Sequence, residues 1–431
     1  MFLCRRTGKF VAPLMSRMFS VDGKGDRLQF QSGLLDHLKD SGVGVDQGVV
    51  VTCENELSAF NEGAGSRFKN YLGYPNSIFS GFLPEPILGA LLINIGDWRG
   101  NRYLGPNTHG YELEATQYLK EIFHFPVGRK EWGNSCTGSS EAVLSAIIYG
   151  RTLLKARTGK DPVVVASTEA HYCARKNAFI AGLGFVSVRT DAKAGMDMSD
   201  LRARLAGLDD VPVIVVASCG TTVREGYDPI SEISDQLQGH RGGFYMHIDA
   251  ALSGFTAPFL DEVADGLKPR FRKNVSSISV SLHKFIGVNR PSALVLGIDQ
   301  ACGSVPMKQR VEYIDATDGT PSGSRNGHPV LAFAMLYRIV GQKGFRQMAR
   351  NCLSKADYLT AKLRAENINV FHNEGALTVF MPCPSEEIVD RYTLACSDGG
   401  AHVITMQHVS FALLDRFIAD YVDWHRTQAF L

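Results

Sequence analysis

Short runs of β-branched and small apolar residues recur through the middle of the chain, and each leads into polar groups. Val163–Ser167 runs into Glu169-Ala170-His171-Tyr172, and residues 211–217 run into Ser218-Cys219-Gly220-Thr221-Thr222. Phe244–Asp249 ends on its own carboxylate, and residues 276–281 lead to His283 and Lys284. Such runs suit buried strands, and helical patterns separate them. This alternation specifies a mostly parallel sheet covered by helices. Ligands of such sheets sit outside the carboxyl ends of the strands, where the polar residues gather.

The stretch Ser279-Val280-Ser281-Leu282-His283-Lys284-Phe285-Ile286-Gly287 is central to this arrangement. Burial at a strand end disfavours the ammonium form of a lysine, so its amine becomes a better nucleophile. A lysine that condenses with a carbonyl compound needs that property. The alternative for Lys284, taken alone, is a solvated loop lysine. Asp249 lies far enough upstream for a crossover between neighbouring parallel strands. A lone buried carboxylate is costly and requires a cationic partner. A protonated pyridine nitrogen is one such partner, and the small Ala250 and Ala251 leave room for a ring. The alternative for Asp249 is a helix N-cap. The two stretches together favour pyridoxal phosphate. A third stretch, Asn134-Ser135-Cys136-Thr137-Gly138-Ser139-Ser140-Glu141-Ala142, precedes an apolar run. A small, hydroxyl-rich turn at a helix start offers unpaired amides and a favourable dipole to a phosphate; an ordinary serine-capped helix reads the same way.

Further motifs occur in order: Leu72-Gly73-Tyr74-Pro75, Trp132-Gly133 followed by Gly138 and Glu141, Ala170-His171-Tyr172, Gly220-Thr221-Thr222-Val223 and His247-Ile248-Asp249-Ala250-Ala251. They continue with His283-Lys284-Phe285-Ile286-Gly287, Gly323-Ser324-Arg325-Asn326-Gly327-His328, Leu394-Ala395-Cys396 and Ala401-His402-Val403. As an ordered set over roughly residues 70–425 they are specific. The chain resembles the group II pyridoxal-phosphate amino acid decarboxylases, most of all the histidine decarboxylase and plant serine decarboxylase branch.

The resemblance implies an α/β fold of the aspartate-aminotransferase type (fold type I). It carries a mostly parallel seven-stranded sheet, a helical N-terminal segment and a small C-terminal α/β domain. It implies pyridoxal 5'-phosphate as cofactor and decarboxylation of an L-amino acid to the amine and CO2. Histidine and serine are the foremost substrates, with aromatic and acidic amino acids also open. It puts Gly138, Ser139 and Ser140 on the phosphate, His171 stacked on the ring, Thr222 beneath it, and Asp249 on the ring nitrogen. Ala251, Ser281 and His283 join the cofactor's surroundings, and Lys284 is the catalytic lysine. The polar segment 302–326 is a candidate lid, and its single tyrosine, Tyr313, is the candidate proton donor to the α-carbon alongside His171. Ser322, Ser324 and Arg325 are expected to approach the neighbouring subunit's site of a homodimer, where an arginine fork suits phosphate or carboxylate. The sequence departs from the branch at Ser139, where the pattern has a second glycine, and at Leu282, Ser218-Cys219 and Val288-Asn289-Arg290-Pro291-Ser292-Ala293. These changes bear on substrate more than on reaction type. Two alternatives are another reaction on the same site, such as an aldehyde synthase or other carbon-carbon lyase, and a non-catalytic homologue.

Residues 1–21 carry Arg5, Arg6, Lys9 and Arg17 and no acidic residue. That composition resembles a mitochondrial transit peptide; a cytosolic extension, and so a cytoplasmic protein, is the alternative. The expected division is 1–23 transit peptide, 24–70 helical segment, 71–340 cofactor-binding domain and 341–431 C-terminal domain. Loops are expected at 72–75 and 94–97, strands at 368–371, 376–381 and 401–406, and a last helix over 410–425. The net charge of +1 favours neither nucleic acid nor an anionic membrane as partner. No apolar run is long enough to span a bilayer. Nine cysteines without paired spacing point to reduced thiols, and no metal-ligand cluster stands out.

Overall fold

A computed structural model describes residues 46–77, 83–99, 103–300, 309–397 and 399–428. The expected transit peptide (1–23), the helical pattern at Leu28, Leu34, Leu35 and Leu38, and residues 302–308 of the expected lid lie outside the described residues. By its internal contacts the chain separates into two units, residues 1–70 with 80–89, and residues 71–79 with 90–431. Described elements of the first are the helices Gln47–Phe68 and Glu85–Leu88. The boundary expected near residue 341 falls inside the second unit.

Strand β1 (Ile93–Ile95) is followed by β2 (Glu131–Cys136), β3 (Val163–Ser167), β4 (Phe185–Val188), β5 (Val213–Ser218), β6 (Phe244–Asp249), β7 (Val275–Ser281) and β8 (Ala293–Ile298). Strands β2 to β8 form one seven-stranded sheet in the order β2-β8-β7-β6-β5-β3-β4. Every strand but β8 shares one direction; β8 is antiparallel to both neighbours. Strands β5 and β7 are buried at every residue, as helices on both faces of a parallel sheet require. The helix Ser139–Thr158 sets Val143, Ile147 and Leu154 against Val164, Ile214, Val216 and Tyr245.

The serines of β7 are compatible with burial because β6 supplies their partners. Tyr245 donates to Ser277 Oγ at 2.8 Å, and the His247 ring lies 2.8 Å from Ser277 Oγ and 3.1 Å from Ser279 Oγ. Satisfying both hydroxyls keeps the buried polar layer inexpensive.

Strands β9 (Gln309–Val311) and β10 (Ala316–Asp318) form a hairpin, and β11 (Ser324–Asn326) pairs antiparallel with β1. Asn94 and Ile95 therefore lie in a strand, where a loop was expected. Asn94 is fully buried, and its side chain donates to Glu112 and accepts from the Thr108 amide. Strands β12 (Thr378–Pro382), β13 (Ala395–Ser397) and β14 (Gly400–Ile404) form an antiparallel sheet in the order β12-β14-β13. Leu359 and Leu363 from the helix His328–Ala365, with Leu414 and Phe417 from Phe411–Gln428, close its core against Val379 and Val403. The first of these helices is interrupted at Gly341, whose φ of 58° and ψ of −172° lie in a region that residues with a Cβ avoid. The strand expected over 368–371 is reduced to one bridge, Phe371 to Phe380. The expectation of reduced thiols also needs correction at one pair. Cys383 and Cys396 form a disulfide because β14, lying between β12 and β13, brings the two segments close. No helix among the described residues is long and apolar enough to cross a membrane.

Burial depresses the pKa of His247 from 6.5 to about 3. The unfolded chain therefore takes up a proton below about pH 6.5 that the fold refuses, and stability falls as the pH drops through that window. Replacing His247 by Gln removes this slope. The loss of unfolding free energy between pH 6 and pH 5, measured by denaturant titration, should be about 1 kcal/mol smaller in the variant; an equal loss would contradict the assignment.

Candidate active site

A cavity of about 350 Å³ opens at the carboxyl ends of the parallel strands. It is lined by all ten residues that the sequence places around a cofactor: Gly138, Ser139, Ser140, His171, Thr222, Asp249, Ala251, Ser281, His283 and Lys284. Strand β2 ends at Cys136 and the following helix begins at Ser139, so the turn between them faces the cavity. Glu141 accepts from the Thr137 amide at 2.7 Å and from its hydroxyl at 2.5 Å, which fixes the turn. A Cβ on Gly138 would meet no atom within 4 Å, so the turn borders open space. Ser139 Oγ lies 2.7 Å from Ser281 Oγ at the end of β7. Hydroxyls and first-turn amides at a helix N-terminus form a site for a phosphate.

Asp249 closes β6. It is 8% exposed, and its Oδ1 accepts from the Ala251 amide at 3.1 Å. His171 stands on the connection after β3. The Cys173 amide donates to its Nδ1 at 3.3 Å, so the ring proton sits on Nε2. Burial lowers the His171 pKa; the Asp249 carboxylate opposes this and Lys284 adds to it. The imidazole is therefore neutral.

Strand β7 ends at Ser281, where the β-type run of the sequence ends, and Lys284 follows three residues later. Pairing with β8 stops at Ser281 opposite Ala293, and the chain turns away between them. The turn is held by Leu282 N to Ser292 O at 3.0 Å and Val288 N to Leu282 O at 3.1 Å. The Ser77 amide donates to the Lys284 carbonyl at 3.0 Å. Burial pushes the Lys284 ammonium below its ordinary value, against the pull of Asp249, which raises the share of reactive amine. Leu282, a departure from the related pattern, is fully buried and so is directed into the core.

These groups fit pyridoxal phosphate. Hydroxyls and helix amides suit its phosphate, Asp249 suits a protonated ring nitrogen, and Lys284 can meet its carbonyl carbon. Residues 87–379 match the pyridoxal-dependent decarboxylase conserved domain. The chain belongs to the pyridoxal-dependent decarboxylase family. It is 32% identical over 362 residues to the histidine decarboxylase of Pseudomonas entomophila (strain L48), covering 81% of this chain and 86% of the relative. It is 30% identical over 361 residues to serine decarboxylase 3 of Oryza sativa subsp. japonica, covering 83% and 78%. Its fold is similar to that of L-methionine decarboxylase from Streptomyces sp. 590, with a TM-score of 0.76, 20% identity and coverage of 88% and 95%. The decarboxylase is a carboxy-lyase of fold type I with pyridoxal phosphate as cofactor, which when bound supplies the electron sink for loss of CO2 from an amino acid.

The remaining expected site residues are not on the cavity wall of the decarboxylase. Tyr313 is 86% exposed, in the turn Glu312–Ile314. Ser324 is exposed in β11, and the Ser322 carbonyl accepts from Thr320. Arg325, expected to meet an anion across a subunit boundary, is committed within its own chain. It donates to Gly96 O at 2.8 Å, Ser135 Oγ at 3.2 Å and Thr320 Oγ1 at 3.2 Å, and it pairs with Glu112 at 3.5 Å. Both side chains are essentially inaccessible. Glu112 also accepts from Ser135 N at 2.6 Å, so the pair ties the middle of β11 to the end of β2.

Two residues that sequence reading passed over also matter. Glu225, with a φ of 48°, is fully buried and accepts from Ser253 Oγ at 2.8 Å, Leu377 N at 2.9 Å and Thr378 Oγ1 at 2.6 Å. It ties the Thr222 loop to the segment after Asp249 and to β12. Burial raises its pKa, with the Thr378 and Ser253 hydrogen bonds opposing. His402 lines the cavity from β14; its motif carried the family resemblance without suggesting a role.

Replacing Arg325 by Met leaves Glu112 buried without its cation. Denaturant unfolding should show a loss of about 3–5 kcal/mol. A stability within about 0.5 kcal/mol of the parent's, with a raised KM, would instead assign Arg325 to anion binding.

Proposed function

We propose that this enzyme decarboxylates an L-amino acid of the histidine or serine type, as a homodimer in the mitochondrion. The observation that carries the substrate class is the charge of the cavity. Lys284 is the only lysine or arginine among the described residues that line it, so this part of the wall offers no second cation to a side-chain carboxylate. The names of the relatives, histidine and serine decarboxylases, point the same way. The dimer rests on the family resemblance, and the mitochondrial location rests on the basic, acid-free N-terminus.

In this reading Asp249 keeps a proton on the ring nitrogen of the cofactor. The hydroxyls of Ser139 and Ser281 hold its phosphate end. Lys284, whose uncharged amine burial favours, would hold the cofactor at its carbonyl carbon. We assign protonation of the α-carbon after CO2 departs to His171, whose Nε2 carries the proton and which lines the cavity, ahead of the exposed Tyr313.

A panel of L-amino acids offered to the cofactor-loaded protein tests this, with CO2 and product mass recorded. Histamine or ethanolamine with equimolar CO2 is the expected result. Aldehyde and ammonia with consumption of oxygen would replace the reading by a synthase, and release of CO2 only from acidic amino acids would overturn the substrate class.

A further inference from the structure

Strands β6, β5 and β3 lie side by side in that order, and the segment after each faces the cavity. The β3 segment supplies His171, the β5 segment Gly220 and Thr222, and the β6 segment Ala251. Parallel pairing fixes the strands but stops before the first two segments separate. The pairing of β3 with β5 ends at Ala166 opposite Val216. The gap between the His171 and Thr222 segments therefore depends on contacts outside the sheet.

Two consecutive residues of the β5 segment supply such contacts. Arg224 and Glu225 follow Thr222 in a turn that Thr221 closes, through Glu225 N to Thr221 O at 3.0 Å and Gly226 N to Thr221 Oγ1 at 2.8 Å. Glu225 sits in the left-handed region, where a residue with a Cβ stays only if its surroundings hold it. Its carboxylate is held by Ser253 on the β6 side and by Leu377 and Thr378. Arg224 reaches to the β3 side, where its guanidinium donates to Glu169, and it lies 5.8 Å from the centre of the Phe371 ring. Glu169 stands two residues before His171, and Arg224 two residues after Thr222. The Cys173 amide fixes the His171 ring to its own segment, so the ring moves with that segment. Among the described residues no other hydrogen bond or ion pair joins residues 168–172 to residues 219–227. The Glu169 side chain is 11% exposed and that of Arg224 34%, so the pair is screened less than one in open solvent. Neither residue lines the cavity.

We propose that Glu169 and Arg224 are positioning residues, whose ion pair holds the His171 and Thr222 segments at the separation that the cofactor ring needs. The slot is then formed before the cofactor enters, and binding does not have to order it. Glu225 anchors the turn from which Arg224 reaches across. The proposal goes beyond the choice of amino acid and holds for any substrate of the decarboxylase.

The test titrates the full-length chain, freed of cofactor, with pyridoxal phosphate. Bound cofactor is read by its absorbance and by circular dichroism in the same band, which reports how the ring is held. Glu169→Gln and Arg224→Met should each weaken cofactor binding about three- to tenfold and change the dichroism per bound cofactor. The thermal midpoint of the cofactor-free protein should stay within about 2 °C of the parent's. The double variant should bind no more weakly than the weaker single one, because both changes remove the same interaction. Arg224→Lys, which keeps the charge without the planar fork, should recover part of the lost affinity. If Arg224→Met does not fold, Glu169→Gln and Arg224→Lys decide the matter by the same readings. Unchanged affinity and dichroism in the single variants would overturn the proposal, as would losses that add in the double variant. No recovery in Arg224→Lys would assign the effect to packing on Phe371 instead. Weaker binding that only tracks a lower thermal midpoint of the cofactor-free protein would make the pair an ordinary stabilising contact and equally overturn it.

Discussion

The parallel pairing of β6 with β7 is the constraint on which the site depends. Asp249 stands opposite Ser279 in that register, and Ser218 of β5 stands opposite Asp249 on the other side. Strands β5 and β6 therefore end at one level, with β7 running two residues further, and the segments after them face the same cavity. A slip of one residue would turn Asp249 to the other face of the sheet. The layer of Tyr245, His247, Ser277 and Ser279 resists that slip, because its hydrogen bonds close only in this register. A buried polar network of this kind contributes more to uniqueness than to raw stability.

The second constraint is the attachment of the C-terminal sheet to the ends of the large one. Glu225 joins the Thr222 loop to β12, Gly73 lies against Ala395, and Gln407 donates to Phe285 O at 2.7 Å, beside Lys284. The cavity thus has one wall built from strand termini and another that includes Ala395 and His402 of a different sheet.

The cofactor end was legible in the sequence because its rule is local. A polar residue just past an apolar β-branched run lands in the crevice of a parallel sheet, as Asp249 and Lys284 do; the family resemblance supplied the roles of the other eight, and all ten line the cavity. The contacts made across the chain were not legible by the same means. The placement of His402 depends on a carbonyl at Gly73, that of Glu225 on an amide at Leu377, and that of Arg325 on a carboxylate at Glu112, all distant in sequence. An arginine or tyrosine in a polar stretch carries no local sign of whether it will be buried, as Arg325 is, or exposed, as Tyr313 is. Asn94 was missed as a strand residue for the same reason, since Glu112 and Thr108 supply its partners.

The central claim is that Lys284 is the residue that meets the cofactor. Borohydride reduction of the cofactor-loaded protein with subsequent peptide mass mapping tests it most directly. The account predicts that the added cofactor mass is found on the peptide containing Lys284 and on no other lysine. Label on a different lysine, or none in a protein that retains bound cofactor, would contradict it.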